Sequence, residues 1–141
     1  MARSGDMPVV FRPAACEGFG LFIALAGSSR SGKTYTALRI ATGIVRAAAG
    51  ENGRIAAIDT ENKRMSHYSK TFRFDVWNMG PPFRPGHFAE AAQRAEEGGY
   101  HCLVIDSFSL EWMGEGGVLD MHEAYLKRKY GDDEAKRLRN N

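Results

Sequence analysis

The chain has little cysteine and no long apolar run, and each shortage argues against a class of protein. Two cysteines occur in 141 residues, and no C-x-x-C motif joins Cys16 to Cys102, which lies in an apolar stretch and is expected to be a buried thiol. The four histidines show no metal-ligand spacing with these cysteines, so no zinc site is predicted. No apolar stretch approaches the roughly 20 residues of a membrane-spanning helix, and no membrane partner is expected.

The excess of positive over negative charge is also small. Lysine and arginine number 19 against 17 acidic residues, a net charge of +2, and this balance alone indicates neither nucleic acid nor membrane as a partner. The first residues, Met1 to Asp6, are polar and lack the apolar core of a signal peptide. We therefore expect a cytoplasmic protein, and its length predicts one domain with a core of its own.

What the chain does contain is a phosphate-binding motif. Residues 27–34, GSSRSGKT, fit G-x-x-x-x-G-K-[ST] at every fixed position, between an apolar run and a helical pattern. Its two glycines let the backbone curl so that N–H groups point at phosphate oxygens. Lys33 is expected to reach the β- and γ-phosphates of ATP, and the Thr34 hydroxyl to bind Mg²⁺. The alternative is a glycine- and serine-rich turn with a chance lysine. The predicted nucleotide-binding residues are Gly27, Ser28, Ser29, Arg30, Ser31, Gly32, Lys33, Thr34 and Tyr35.

Strand patterns alternate with helical patterns along the chain. This order predicts an α/β fold with a parallel sheet covered on both faces. The predicted strands are 21–26, 54–59, 72–77 and 102–106, the third of them towards a sheet edge. The predicted helices are 33–49, 87–97 and 118–130. Three regions follow: a loosely structured segment at 1–18 with an optional short strand at 9–11, a nucleotide-binding core at 19–130, and a polar tail at 131–141.

An aspartate, Asp106, ends the apolar strand predicted at 102–106. In P-loop proteins an aspartate at such a strand tip holds the Mg²⁺ shell. The alternative is a plain strand-end cap. We predict Thr34 and Asp106 as the two metal-binding residues.

Hydrolysis also needs a group that orients or deprotonates water. Many P-loop ATPases have a glutamate directly after the strand-tip aspartate, but here Ser107 occupies that position. Glu61 is the predicted catalytic carboxylate, beside Lys33, because the tips of neighbouring parallel strands face one crevice. The alternative for Glu61 is a loop glutamate paired with Lys63 or Arg64. Further candidates are Glu111 and Glu115.

These motifs together resemble the RecA-type P-loop ATPase core. A P-loop is followed by one strand ending in IDTE at 58–61 and another ending in VIDS at 104–107. More narrowly, DTENKR at 59–64 and IDSFSLEW at 105–112 resemble phage-encoded ATP-binding proteins of RecA-like type, some of which act beside single-strand annealing and recombination proteins. The resemblance covers about residues 20–125.

The resemblance implies more than the motifs do. It implies a three-layer P-loop NTPase fold with a mostly parallel sheet, in the cytoplasm of a bacterium or a phage-infected host. It implies ATP and Mg²⁺ as cofactors and gives Glu61 the role of activating water. Single-stranded DNA and a recombination protein would be partners, and a neighbouring subunit of a homo-oligomer would supply an arginine or lysine finger.

One departure from the RecA-type pattern concerns the C-terminus. The family core continues past the strand of the Asp106 type with a further strand, which lies between that strand and the P-loop strand. Here the residues after Asp106 are mostly glycine-rich loop and charged helix. Two explanations remain open: a chain truncated at its C-terminus, or a natural variant with a reduced core. Either would leave a sheet edge exposed, which favours self-association.

Three functions stay open at this point. The first is a RecA-type ATPase coupled to DNA recombination or single-strand annealing. The second is a P-loop small-molecule kinase, although Arg64, Arg73 and Arg84 are scattered and form no obvious lid. The third is a nucleotide-binding assembly module with little catalysis. The basic run at 127–129 would contact DNA phosphates in the first case, with a solvated amphipathic helix as its alternative.

Overall fold

Apolar strands alternate with amphipathic helices in the computed structural model, which describes residues 20–131. The optional strand at 9–11 and most of the predicted polar tail lie outside the described residues. The elements in chain order are α1 (Lys33–Ala49), β1 (Ile55–Asp59), β2 (Asp75–Asn78), α2 (Pro85–Glu97), β3 (Cys102–Asp106), α3 (Ser109–Met113) and α4 (Val118–Tyr130). Short 3-10 turns occur at Gly50–Asn52 and Arg64–Tyr68.

The three strands form one parallel sheet in the order β2-β1-β3. The central strand β1 is short, apolar and almost wholly buried, as strands covered on both faces are. Its last residue, Asp59, lies opposite Asn78 of β2 and Asp106 of β3. The C-terminal tips of all three strands are therefore level at one end of the sheet. The predicted α/β fold with a parallel sheet is confirmed.

Helices pack against both faces of this sheet. On one face, Leu38 of α1 belongs to a buried cluster with Ala57 of β1 and Val104 of β3. On the other face, Phe88 of α2 packs in a second buried cluster with Ile58 of β1. The sheet is thus the middle of three layers, and α1 and α2 hold its tips in place from opposite sides.

Most element boundaries follow the sequence pattern. The helices predicted at 33–49 and 118–130 and the strand at 102–106 have those bounds. The helix predicted at 87–97 begins earlier, because Pro85 occupies its first turn, where a missing N–H costs nothing. The strand predicted at 72–77 is shifted to Asp75–Asn78 and is an edge strand, as expected. Phe72 is buried in the core before the ladder begins.

The strand predicted at 21–26 is wrong. These residues have no regular secondary structure, and all of them are exposed. No backbone hydrogen bond joins them to another described residue. A groove of about 570 Å³ separates them from β3, the strand nearest to them in the sheet. An apolar run becomes a strand only where a neighbour completes its ladder, and none of the described strands does so here.

A short helix that the sequence analysis did not include follows β3. It is α3, five residues long, and it contacts α4. No helix among residues 20–131 has the length and apolar character needed to cross a bilayer.

Candidate functional site

The P-loop motif forms a tight turn that leads directly into α1. Gly32 has φ +84° and Arg30 has φ +63°, so the chain passes twice through the left-handed region. A methyl group added at Gly27 would lie 2.8 Å from the Ser31 hydroxyl. The turn is therefore compact, and a side chain at position 27 would fill it.

Lys33 lies across this turn. Its Nζ donates hydrogen bonds to the carbonyl oxygens of Gly27 at 2.8 Å and Ser28 at 2.7 Å. The amine is thus held over the loop by carbonyl groups and forms no ion pair within residues 20–131.

The start of α1 is open to an anion. Its N-cap residue, Gly32, makes no side-chain capping bond, and no acidic residue occupies the first turn. The first N–H groups of a helix lack partners within it and mark the positive end of its dipole. This helix start suits a phosphate, because its N–H groups and its dipole favour an anion.

Thr34 and Asp106 meet although 72 residues separate them in sequence. The Thr34 hydroxyl donates to Oδ2 of Asp106 at 2.5 Å. Thr34 is fixed by the first turn of α1 and Asp106 by the tip of β3, so packing of α1 on the sheet creates the contact. A hydroxyl and a carboxylate oxygen are the ligand types that Mg²⁺ takes in phosphate-binding sites.

Among residues 20–131, no group of three or more histidine, cysteine, aspartate or glutamate side chains could hold a metal ion. Mg²⁺ keeps several waters and binds through one or two protein groups plus substrate phosphates. Thr34 and Asp106 fit that requirement, whereas a closed structural metal site would need more protein ligands.

Asp59 ends the neighbouring strand β1 but has a different role. It is only 1% exposed. Its Oδ1 accepts a hydrogen bond from the Glu61 N–H at 2.8 Å, and its Oδ2 accepts one from the Met65 N–H at 2.7 Å. Both carboxylate oxygens are used to hold the loop after β1, so Asp59 shapes the backbone beside the site.

Glu61 lies at the start of that loop and is half-buried. Its carboxylate forms an ion pair with Arg64, which is the alternative partner considered from the sequence. Within residues 20–131, no hydrogen bond joins the Glu61 side chain to Lys33, Thr34 or Asp106. The structure brings Thr34 and Asp106 into contact and leaves Glu61 on the adjacent strand tip, engaged elsewhere.

Tyr35 lies in an aromatic cluster beside the P-loop. Its ring centroid is 5.2 Å from that of Phe72 and 6.3 Å from that of Tyr68. The P-loop motif points to Tyr35 but to neither partner, because Tyr68 lies in a 3-10 turn and Phe72 in an irregular segment, both distant from it in sequence. Thr60, which bonds to both Asp106 and Ser107, was likewise missed.

The clearest carboxyl pKa shift lies at the opposite end of the sheet. Hydrogen bonds from the Tyr100 hydroxyl and from Arg54 hold the pKa of the Asp75 carboxyl below its usual value. The same contact raises the pKa of Tyr100. Burial raises the pKa of the half-buried Cys102 thiol, which suits an unreactive core cysteine.

Comparison of the chain with protein-family models, with curated proteins and with solved structures found no match.

Proposed function

We propose that this chain binds Mg²⁺-ATP through its P-loop and hydrolyses the γ-phosphate, using the arrangement of a RecA-type ATPase core. The observation that supports this most directly is the 2.5 Å contact between the Thr34 hydroxyl and the Asp106 carboxylate. A chance glycine- and serine-rich turn has no reason to bring its threonine to a strand-tip aspartate 72 residues away.

The P-loop supplies the phosphate side of the proposed site. Lys33 exchanges the carbonyl oxygens of Gly27 and Ser28 for the β- and γ-phosphate oxygens, which offer its ammonium group a stronger charged partner. The open first turn of α1 contributes backbone N–H donors and the positive end of its dipole. Both devices stabilise charge that builds up on the transferring phosphoryl group.

Thr34 and Asp106 form the metal side. When bound, Mg²⁺ neutralises negative charge on the β- and γ-phosphates. Thr34 and Asp106 would hold Mg²⁺, the threonine through its hydroxyl oxygen and the aspartate through its carboxylate at the strand tip. Because Asp106 is fixed by pairing with β1, its position does not depend on the loop.

Glu61 forms the water side. A carboxylate orients water for in-line attack and accepts its proton, and Glu61 does so after release from Arg64. Arg64 then becomes a free cation at the rim of the site. The ion pair is partly exposed on its Arg64 side, so breaking it costs little, on the order of 1 kcal/mol.

Coupling to single-stranded DNA, a recombination partner and assembly into a homo-oligomer are part of the same proposal. They rest on the resemblance of residues 59–64 and 105–112 to phage ATP-binding proteins. The basic end of α4 is a second support: Arg128 is exposed there, and Lys129 lies over the rings of Tyr125 and Tyr130. Exposed cations suit the phosphates of a nucleic-acid strand.

The test is ATP affinity and phosphate release, with and without single-stranded DNA, for the parent and two variants. Lys33→Ala should weaken ATP binding about 10- to 100-fold, since a charged hydrogen-bond donor is lost. Glu61→Gln should keep the affinity and slow phosphate release at least about 100-fold. Lys70→Ala and Glu51→Gln are the matched controls, because both side chains are exposed and lie outside the candidate site; Glu51 pairs only with exposed Arg46 among residues 20–131.

The outcomes separate the competing functions. ATP binding that Lys33→Ala leaves intact would reject the P-loop assignment. Tight binding without release of phosphate, together with an ATP-dependent change of oligomeric state, would favour the assembly module. Faster transfer to an added nucleoside or sugar than to water would favour the kinase, and a turnover unchanged by DNA would remove the DNA coupling.

A further inference from the structure

The tips of β1 and β3 are tied together by one side chain, Thr60. It follows β1 directly and is 6% exposed. Its N–H donates to the carbonyl oxygen of Asp106 at 2.9 Å, which extends the ladder between the strands by one bond. Its side chain then continues the connection where the strands have ended.

The Thr60 hydroxyl directs both of its hydrogen bonds to a single residue. Oγ1 donates to the carbonyl oxygen of Ser107 at 3.0 Å and accepts from the N–H of Ser107 at 2.8 Å. A hydroxyl has one hydrogen to donate, so no further donation is available to it. Both bonds connect β1 to the residue after Asp106, and neither serves the loop that contains Thr60 itself.

Thr60 also lies between the two carboxylates that the proposed function needs. Glu61 is the next residue in sequence, and Asp106 is the residue bonded through the backbone. Asp106 in turn accepts the hydrogen bond from Thr34. A continuous series of covalent and hydrogen bonds therefore connects Glu61, through Thr60, to Asp106 and then to Thr34.

We propose that Thr60 is a positioning residue that sets the separation of Glu61 from Asp106 through its hydroxyl. This rests on the proposed function, and it adds a residue that contacts neither phosphate nor metal. A misplacement of about 1 Å between reacting groups can cost about 100-fold in rate. Loss of the hydroxyl bonds would allow such a shift, because only one backbone bond would then join Thr60 to the β3 tip.

The test compares Thr60→Val with Thr60→Ser. Valine keeps the branched shape and removes both hydroxyl bonds, whereas serine keeps the hydroxyl and removes a methyl group. We expect Thr60→Val to lower kcat for phosphate release about 10- to 100-fold and to change the Kd for ATP less than about threefold. Thr60→Ser should recover kcat to within about threefold of the parent.

Two results would overturn the proposal. One is a Thr60→Val enzyme with the kcat of the parent. The other is a parallel loss of kcat and ATP affinity in both variants, which would indicate general damage to the fold. Thermal unfolding of each variant accompanies the kinetics, and Thr60→Ala, which is smaller and also lacks the hydroxyl, replaces Thr60→Val if the valine variant does not fold.

A second measurement does not depend on catalysis. Amide hydrogen exchange in the parent chain should show Ser107 protected, because its N–H is bonded to Thr60 Oγ1. Rapid exchange at Ser107 would refute the bond whatever the chain does with ATP. If the parent neither binds nor hydrolyses ATP, the proposed function fails. Slow exchange in the parent that becomes fast in Thr60→Val then still supports the connection between the strand tips.

Discussion

Two regions of the candidate site, the P-loop segment and the strand-tip cluster, differ in how they are held in place. The P-loop segment, residues 20–32, is exposed along its whole length, and no backbone hydrogen bond joins its first seven residues to the rest of the described chain. The strand-tip cluster, which comprises Asp59, Thr60, Glu61, Asp106 and Ser107, is bonded across two strands and has a buried centre.

The difference shows which parts of such a site are local and which depend on long-range pairing. A P-loop needs only its own residue types, since glycines, a lysine and a helix start create the turn. The strand tips need partners: Asp59 and Asp106 lie side by side because β1 and β3 are in parallel register. Among residues 20–131, the hydrogen bond from Thr34, at the start of α1, to Asp106 joins the end of the P-loop motif to the strand tips.

The largest expected effect is at Phe88 of α2. Phe22, in the P-loop segment, is the exposed phenylalanine with which it is compared. Phe88 is 4% exposed and packs on the sheet, whereas Phe22 is 89% exposed. Phe88→Ala should lower the free energy of unfolding by about 3 kcal/mol, and Phe22→Ala by less than about 0.5 kcal/mol. Urea unfolding followed by tryptophan fluorescence measures both.

A loss of unfolding free energy above about 1 kcal/mol for Phe22→Ala would contradict the contrast between an exposed P-loop segment and a packed strand-tip cluster. It would mean that residues 20–26 pack against the rest of the chain in solution, and that the groove beside β3 is closed there.

The second prediction concerns Asp59 within the strand-tip cluster. Asp59→Ala removes the acceptor for two N–H groups, one of them on buried Met65. An unsatisfied buried donor costs about 1–3 kcal/mol, so we expect a loss of about 2 kcal/mol in unfolding free energy. Asp59→Asn keeps one carbonyl acceptor and should lose about half as much.

Equal losses for alanine and asparagine would indicate that the charge of Asp59 matters and that its hydrogen bonds do not. Circular dichroism of both variants in urea gives this comparison directly.

Local features of this molecule could be predicted from the sequence, whereas features that depend on long-range pairing could not. The bounds of α1, β3 and α4 could be predicted, because helical periodicity, glycines at the ends and a short apolar run are local features. The strand at 21–26 could not be excluded, since an apolar run carries no information about whether a neighbour completes its ladder. The helix α3 was missed because five residues show no periodicity.

Some features of the candidate site could likewise be predicted from the sequence, and others could not. The meeting of Thr34 with Asp106 follows from placing a P-loop and an aspartate at one end of a parallel sheet. The sequence offers two partners for Glu61, and only the folded loop selects Arg64. Thr60 bears no recognisable motif, because its importance comes from bonds to Ser107 that exist only across the sheet.

The third prediction tests the local character of the P-loop. Gly32 has φ +84°, where an alanine costs about 1 kcal/mol or slightly more. At Gly27 the one close contact of an added methyl group, at 2.8 Å, is with the Ser31 hydroxyl, which can rotate away. Gly32→Ala should therefore lower the unfolding free energy about 1 kcal/mol, and Gly27→Ala clearly less, as measured in urea.

Both glycine variants should weaken ATP binding. Gly27→Ala places a methyl group against the Ser31 hydroxyl inside the turn, and Gly32→Ala disfavours the left-handed backbone at φ +84°. A Gly32→Ala protein as stable as the parent would show that the loop has another conformation in solution than the left-handed one.

The smallest effect is expected at Asp75. This aspartate is exposed and is compared with the buried Asp59. Asp75 also accepts two hydrogen bonds, from the Tyr100 hydroxyl and Arg54, but it is exposed. Its pKa is lowered in the folded chain. A lowered folded pKa adds stability above the unfolded pKa, and this stability is lost as the pH falls through the folded pKa.

Asp75→Asn should therefore be slightly less stable than the parent at neutral pH and equal to it once the pH lies below both pKa values. Tyr100→Phe removes the main cause of the shift and should reproduce most of the neutral-pH difference. Unfolding in urea at a series of pH values gives the two curves. A constant gap between Asp75→Asn and the parent at every pH would show that side-chain shape, rather than ionisation, is responsible. The comparison of buried with exposed aspartates would then rest on Asp59 alone.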